Sequence, residues 1–299
     1  MTTRHFLSLM DLSAGEIRGI INRAIELKKL GKSAPKTLSG DTMAMVFEKS
    51  STRTRTSFDI GMAQLGGYAM FLTPGDSQIQ RGEPIRDTAR VLSRMVDVIV
   101  MRTTTHQRVS TMAEYASVPV INALCDRYHP CQLLADLQTF TEHRGDISGQ
   151  TIAWIGDGNN VCHSWMNAAR QLDFSLNIAT PKGFEPDADL VEACKDHVSL
   201  SNDPQSAASG AACIVTDTWA SMGQEDEKSE REAAFAGYCV NDELMALAAD
   251  DAIFMHCLPA YRGYEVSESV LEGAQSVVWD EAENRLHAQK ALLELLLSQ

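Results

Sequence analysis

Short apolar runs alternate with amphipathic segments along nearly the whole chain, and that alternation narrows the folds open to it more than any other feature. The runs Thr42–Phe47, Tyr68–Thr73, Val98–Thr103 and Val118–Ala123 form one series. Between them lie segments with apolar residues on one helical face: Phe58, Met62 and Leu65, then Ile85, Ala89, Leu92 and Val96 behind Pro84. Strands interleaved with helices predict parallel sheets, because a parallel connection needs a crossover long enough for a helix. A second series follows Gly145-Asp146-Ile147-Ser148-Gly149: Thr151–Ile155, Leu176–Thr180, Val198–Ser201, Ala212–Asp217 and Ala252–Leu258. Two series in 299 residues predict an α/β protein of two parallel-sheet domains. His129 to His143, with Leu133, Leu137 and Phe140 on one face, predicts a helix joining them, and a last helix runs from about Asp280 to Leu297.

Composition removes several function classes. Lys and Arg number 26 against 40 Asp and Glu, a formal net charge of −14, which argues against nucleic acid or an anionic membrane as partner. No apolar run approaches the roughly 18 residues of a membrane-spanning helix, and the first residues lack secretory or transit character, so cytoplasm is the expected location. The seven cysteines lack C-x-x-C spacing, which indicates neither a disulfide framework nor a zinc knuckle. The most polar stretch, Gln224 to Glu232, reads as a solvated loop on charge pattern alone.

Open α/β sheets bind ligands beyond the carboxyl ends of their strands, so the residues after each run carry the functional information. After the first stands Glu48-Lys49-Ser50-Ser51-Thr52-Arg53-Thr54-Arg55, entering a helix. Hydroxyls, free backbone N–H groups and guanidiniums at a helix N-terminus suit a phosphate. The plainer alternative is N-capping by Ser50 or Ser51, but a cap needs one hydroxyl and this segment supplies four with two arginines. Arg102 ends another strand. His129-Pro130-Cys131-Gln132 opens the linking helix with proline in its first turn, placing His129 and Gln132 one turn apart.

In the second series, Gly156-Asp157-Gly158-Asn159-Asn160-Val161 resembles a dinucleotide loop but has valine where the third glycine belongs, and no acidic residue ends the next strand. Its asparagines suit a polar small molecule instead. Asp217-Thr218-Trp219-Ala220-Ser221-Met222-Gly223 follows a later strand, with Gly223 a candidate hinge for a lid. His256-Cys257-Leu258-Pro259 puts a thiol at a strand end, where a buried inert cysteine is the competing interpretation.

Together these motifs resemble the ornithine carbamoyltransferases. S-T-R-T-R at 51–55 and H-P-x-Q at 129–132 are shared by transcarbamoylases generally, whereas D-x-x-x-S-M-G at 217–223 and H-C-L-P at 256–259 mark the ornithine branch. The resemblance implies a carbamoyl phosphate-binding domain over residues 1–145, with the C-terminal helix of about 283–299 packing back onto it, and an ornithine-binding domain over 146–282, each a parallel sheet with helices on both faces. It also implies transfer of a carbamoyl group to the δ-amine of L-ornithine, giving L-citrulline for arginine biosynthesis, with no cofactor and no metal. By the same resemblance, Ser51, Thr52, Arg53 and Thr54 grip the phosphate, and Thr54, Arg102 and His129 polarise the carbamoyl oxygen. Gln132 and the Leu258 carbonyl hold the carbamoyl nitrogen, and Arg285 is a further contact to carbamoyl phosphate. Asn160, Asp217, Ser221 and Met222 hold the α-groups of ornithine, and Cys257 lies against its δ-amine. The family assembles as homotrimers with shared active sites, and Gln78 is the residue that reaches a neighbour's carbamoyl phosphate.

The chain departs from the family pattern at Ala123 and Cys125, where glycine and a hydroxyl residue are usual, and neither is a ligand position. Transfer to an N-acylated ornithine, putrescine or aspartate is the nearest rival. Asp217 with S-M-G argues for a free α-amino acid, and H-C-L-P argues against aspartate.

Overall fold

The computed structural model describes residues 3–73, 75, 77–219 and 228–297. The chain divides into two compact units, Met1–Gln138 with Glu283–Gln299, and Thr139–Ala282.

In unit 1, helix α1 (Ala14–Leu30) precedes strand β1 (Thr42–Phe47), α2 (Thr52–Gln64), β2 (Tyr68–Leu72), α3 (Ile85–Leu92), β3 (Val98–Arg102), α4 (His106–Tyr115) and β4 (Val120–Leu124). The sheet is wholly parallel with strand order β2-β1-β3-β4. Val98–Arg102 is buried throughout, as a strand covered on both faces must be, while β2 at the edge stays partly exposed. Ala44, Val46, Ile99 and Met101 form one packed layer with Ala89 and Leu92 of α3 and Val109 and Met112 of α4.

Helix α5 (Pro130–Arg144) leads from unit 1 into unit 2. There follow β5 (Thr151–Ile155), α6 (Asn160–Leu172), β6 (Ser175–Ala179), α7 (Ala188–Ala193), β7 (Val198–Ser201), α8 (Pro204–Ala208), β8 (Cys213–Thr216), α9 (Lys228–Ala234), α10 (Asp242–Met245), β9 (Ile253–His256) and α11 (Glu268–Leu271). This second sheet is also parallel, in the order β7-β6-β5-β8-β9. Ile155, Ile214 and Phe254 pack with Trp219, Phe235, Tyr238 and Val270 in its core. The last helix, α12 (Val278–Leu297), starts in unit 2 and continues into unit 1 from Glu283.

Both sheets have a strand from which the chain proceeds first to one side and then to the other. In unit 1 the reversal lies between β1 and β3, and in unit 2 between β5 and β8. A crevice opens beyond the carboxyl ends of the strands at such a reversal, because the connecting helices cover opposite faces. The four strand ends concerned lead to Ser51–Arg55, Arg102, Gly156–Asn160 and Asp217, where the sequence places most of its candidate ligands.

One expectation fails here. Of the stretch 224–232, residues 228–232 are helical, not loop, and Arg231 is 7 % exposed in spite of its charged neighbours.

Candidate active site

In unit 1, Ser51 is the N-cap of α2, its hydroxyl oxygen accepting the Thr54 N–H at 3.2 Å. Capping leaves the Ser51 hydroxyl proton to donate elsewhere, so one side chain can both cap and bind. Thr54 faces inward and is buried, and the two arginines of the motif part company. Arg55 lies over the Phe71 ring at 3.9 Å, whereas Arg53 contributes, with Arg102 and Arg285, to the positive field around His129. The α12 residue Arg285 donates from Nη1 to Gln132 Oε1 at 2.6 Å and from Nη2 to Thr54 Oγ1 at 3.3 Å. Gln132 in turn donates from Nε2 to Asp136 at 2.8 Å, which fixes its amide with the oxygen toward Arg285.

Arg102, His129, Gln132 and Arg285 are all buried. Removal from water favours the neutral form of His129, and the charges of Arg285, Arg102 and Arg53 push the same way, so its pKa falls well below the usual histidine value. A neutral imidazole among three guanidiniums, at the N-terminus of a helix lined with hydroxyls, is suited to an anion carrying a polar carbonyl group. The glutamate before the motif is held too. Glu48 accepts from Arg108 and from the Thr103 hydroxyl, and its N–H donates to the Arg102 carbonyl at 2.8 Å. These contacts hold the Glu48 carboxyl below its ordinary range against the opposing effect of burial.

Gln78 begins a short 3-10 helix, Gln78–Arg81, capped by Ser77, and is exposed.

In unit 2, Asn159 caps α6, its side-chain oxygen accepting the N–H groups of Val161 at 2.9 Å and Cys162 at 3.1 Å. Its Nδ2 donates to Asp217 Oδ2 at 2.8 Å. Asp217 Oδ1 also accepts from its neighbour Thr218 N–H at 2.7 Å and from the Cys257 thiol at 3.2 Å. A carboxylate aimed by three donors is a good receptor for an ammonium group, and the thiol beside it is partly exposed. Gly158 has a different reason to be glycine than a pyrophosphate. A Cβ there would lie 2.3 Å from the Pro186 nitrogen and 2.7 Å from the Phe184 carbonyl oxygen, so the chain's own backbone occupies that space.

Asp217, His256 and Cys257 bring three potential ligand atoms within 4.8 Å of one another. His256 nevertheless uses both ring nitrogens within the protein, Nδ1 accepting the Leu258 N–H at 2.9 Å and Nε2 facing Glu265 at 3.2 Å. The trio thus shapes the turn and does not fit a metal.

Residues 4–142 match the carbamoyl-P binding domain of aspartate/ornithine carbamoyltransferase, and residues 148–296 match its Asp/Orn binding domain. The chain belongs to the aspartate/ornithine carbamoyltransferase family. It is 62% identical over 298 residues to the ornithine carbamoyltransferase of Methylococcus capsulatus, covering 100% of both chains. The ornithine carbamoyltransferase of Nitrosococcus oceani is 59% identical, with 99% of this chain and 98% of that one aligned. Among solved structures, ornithine carbamoyltransferase from Pyrococcus furiosus superposes with a TM-score of 0.95 at 48% identity, over 99% of this chain and 98% of that one. The anabolic ornithine carbamoyltransferase of Campylobacter jejuni gives 0.94 at 44% identity, over 99% and 100%.

Within this family member, unit 1 joins Thr54, Gln132 and Arg285 by direct hydrogen bonds, and unit 2 joins Asp217 and Cys257. Asn160 opens α6 and its carbonyl accepts the Ser164 hydroxyl at 2.8 Å. Ser221, Met222 and the candidate hinge Gly223 lie outside the described residues. The sequence offers Asn159 only as a ligand for a polar small molecule, not as the cap that also orients Asp217, and it assigns no role to Glu48, Glu265 or Arg231. Only Asn159 had a local signal, since asparagine directly before a helix is a preferred N-cap.

Proposed function

We infer that this chain transfers the carbamoyl group of carbamoyl phosphate to the δ-amine of L-ornithine, releasing L-citrulline and phosphate. The observation that carries the reading is the buried cluster of Arg102, His129 and Arg285 at the hydroxyl-lined start of α2, in a chain whose two halves match the two substrate domains of the family.

In this reading Ser51, Thr52, Arg53 and Thr54 hold the phosphate, with Arg285 tying Thr54 to Gln132. The δ-amine lone pair attacks the carbonyl carbon and the bond to the phosphate oxygen breaks. The proton lost by the amine balances the one gained by the leaving phosphate. Negative charge grows meanwhile on the carbonyl oxygen, where Arg102, Thr54 and the neutral His129 supply donors, each worth about 3 kcal/mol in such a role. Gln132, the Leu258 carbonyl and Cys257 complete the carbamoyl phosphate contacts. Asp217 receives the α-ammonium of ornithine, with Asn160, Ser221 and Met222 its further ligands, and Cys257 positions the δ-amine. The enzyme must accept that amine uncharged although its free pKa is about 10, and a dry pocket favours the neutral form.

We also propose arginine biosynthesis as its setting, the cytoplasm as its location and a homotrimer with shared active sites as its assembly. Among the described residues no helix is long and apolar enough to cross a membrane. The exposed Gln78 is available to a neighbouring copy. Domain limits of 1–145 and 146–282, with the last helix returned to the first domain, remain part of this reading. The deciding assay measures product formation from carbamoyl phosphate with ornithine, acetylornithine, putrescine and aspartate. Ornithine should be used at least about a hundredfold better than the others by kcat/KM, and equal use of any rival overturns the assignment.

A further inference from the structure

Behind the His256-Cys257-Leu258 turn sits a carboxyl that the proposed chemistry does not use. Glu265 is 1% exposed and His256 is fully buried. Glu265 Oε1 accepts the Tyr261 N–H at 2.6 Å and faces His256 Nε2 at 3.2 Å. Its own backbone is pinned, since the Val240 N–H donates to the Glu265 carbonyl at 2.9 Å and the Ser267 N–H donates back to Val240. On the far side of the ring, Nδ1 accepts the Leu258 N–H at 2.9 Å. An imidazole nitrogen that accepts a hydrogen bond carries no proton, so the ring proton must be on Nε2, pointing at Glu265. The His256 N–H is separately held by Glu281 Oε2 at 2.9 Å.

Leu258 needs this support. With φ of +56° it is one of two non-glycine residues at positive φ among those described, and a branched side chain adopts that conformation at a cost. Its N–H, satisfied by His256 Nδ1, is what the opposite tautomer or a rotated ring would abandon.

We propose that Glu265 is a positioning residue for ornithine use: by fixing the tautomer and orientation of His256, it holds the Leu258 backbone and thereby aims the Cys257 thiol. The proposal rests on the reading of Cys257 and Leu258 as site residues. In this role Glu265 acts through the His256 ring, while the Tyr261 N–H that it also accepts keeps its carboxyl in place.

The test uses the full-length enzyme with Glu265→Ala and Glu265→Gln. The glutamine oxygen can still accept both N–H groups, so Glu265→Gln should keep the ornithine KM within about twofold. Glu265→Ala should raise it about tenfold or more, the equivalent of one lost buried hydrogen bond to a charged group, with a smaller rise in the KM for carbamoyl phosphate, which Arg102, His129 and the start of α2 still hold. Long-range nitrogen–proton NMR of labelled histidine should report the Nε2–H tautomer in the wild type and Gln variant and a mixture in the Ala variant. An unchanged tautomer together with a wild-type ornithine KM in Glu265→Ala overturns the proposal. Should that variant fail to fold, Glu265→Asp withdraws the carboxyl by one methylene and is expected to give the same selective rise, and a wild-type KM there also overturns it. Cys257→Ala is run in parallel. If it leaves the ornithine KM untouched, the functional reading of the turn is at fault, and the tautomer measurement alone judges the role of Glu265.

Discussion

Replacing Arg231 by methionine should cost unit 2 a large part of its stability, because this guanidinium compensates a carboxylate that has little access to water. Arg231 Nη1 donates to Asp157 Oδ2 at 2.9 Å and to the Trp219 carbonyl at 2.7 Å, with side-chain exposures of 9% and 11% for the ion pair. The guanidinium also lies 5.0 Å from the centre of the Phe184 ring. Removing one partner of a buried pair costs about 3–5 kcal/mol, chiefly through the charge left behind. Methionine retains much of the apolar stem, so packing loss adds little. All four tryptophans, Trp154, Trp165, Trp219 and Trp279, belong to unit 2, so their fluorescence reports the unfolding of that unit directly. With a urea slope of about 2 kcal/mol per molar, the midpoint should fall by about 1.5–2.5 M. Adding Asp157→Asn removes the uncompensated charge and should recover about half of the loss. A single variant that loses less than about 1 kcal/mol, or a double variant no better than the single, would refute the argument that a buried charge drives the effect.

Three further outcomes follow from the geometry. Arg108→Ala should expose the Glu48 carboxylate to the anion site and raise the carbamoyl phosphate KM about tenfold, with Glu48→Gln/Arg108→Ala returning most of it, and a double variant worse than the single speaks against charge compensation. Cys257→Ser should weaken ornithine use while keeping measurable turnover and near-normal carbamoyl phosphate binding, and a trapped carbamoyl thioester on the wild type would contradict a positioning role. His287 has its pKa lowered from 6.5 to about 4, first by burial and then by Lys290. Because the unfolded chain binds that proton first, the contribution of His287 is complete above pH 6.5 and is lost as pH falls toward 4, by up to about 3 kcal/mol. Denaturation midpoints of His287→Gln across that range should be flatter than wild type, and parallel curves would exclude the assignment.

The fold was legible because its signals are local. Fully apolar strands such as Val98–Arg102 can only be covered on both faces, and the face formed by Phe58, Met62 and Leu65 identifies a helix within one heptad. Thr54 and His129 were legible by position, since each stands at or beside the start of a helix that follows a strand. Arg285, by contrast, meets Gln132 across 153 residues of sequence, so only the family resemblance could place it. Arg231 misled for a related reason. Its neighbours are charged and exposed, and its burial depends on Asp157, 74 residues upstream. Glu265 is closer, nine residues beyond His256, but nothing in an isolated glutamate announces that its side chain will meet an imidazole.

The helix Val278–Leu297 starts in one unit and ends in the other, and this imposes an order on biosynthesis. A nascent chain leaves the ribosome N-terminus first, and domains fold as their sequence becomes complete. Residues 139–282 can therefore condense as an uninterrupted segment, whereas the N-terminal unit must wait for its last piece until translation is nearly over. That late piece carries Arg285, which ties Thr54 to Gln132, Lys290, which donates to Gln64 at 2.9 Å, and Glu294, which pairs with Arg23 at 2.6 Å. The half of the enzyme made first is thus the half finished last, and a polypeptide released early cannot join Thr54 to Gln132 through Arg285.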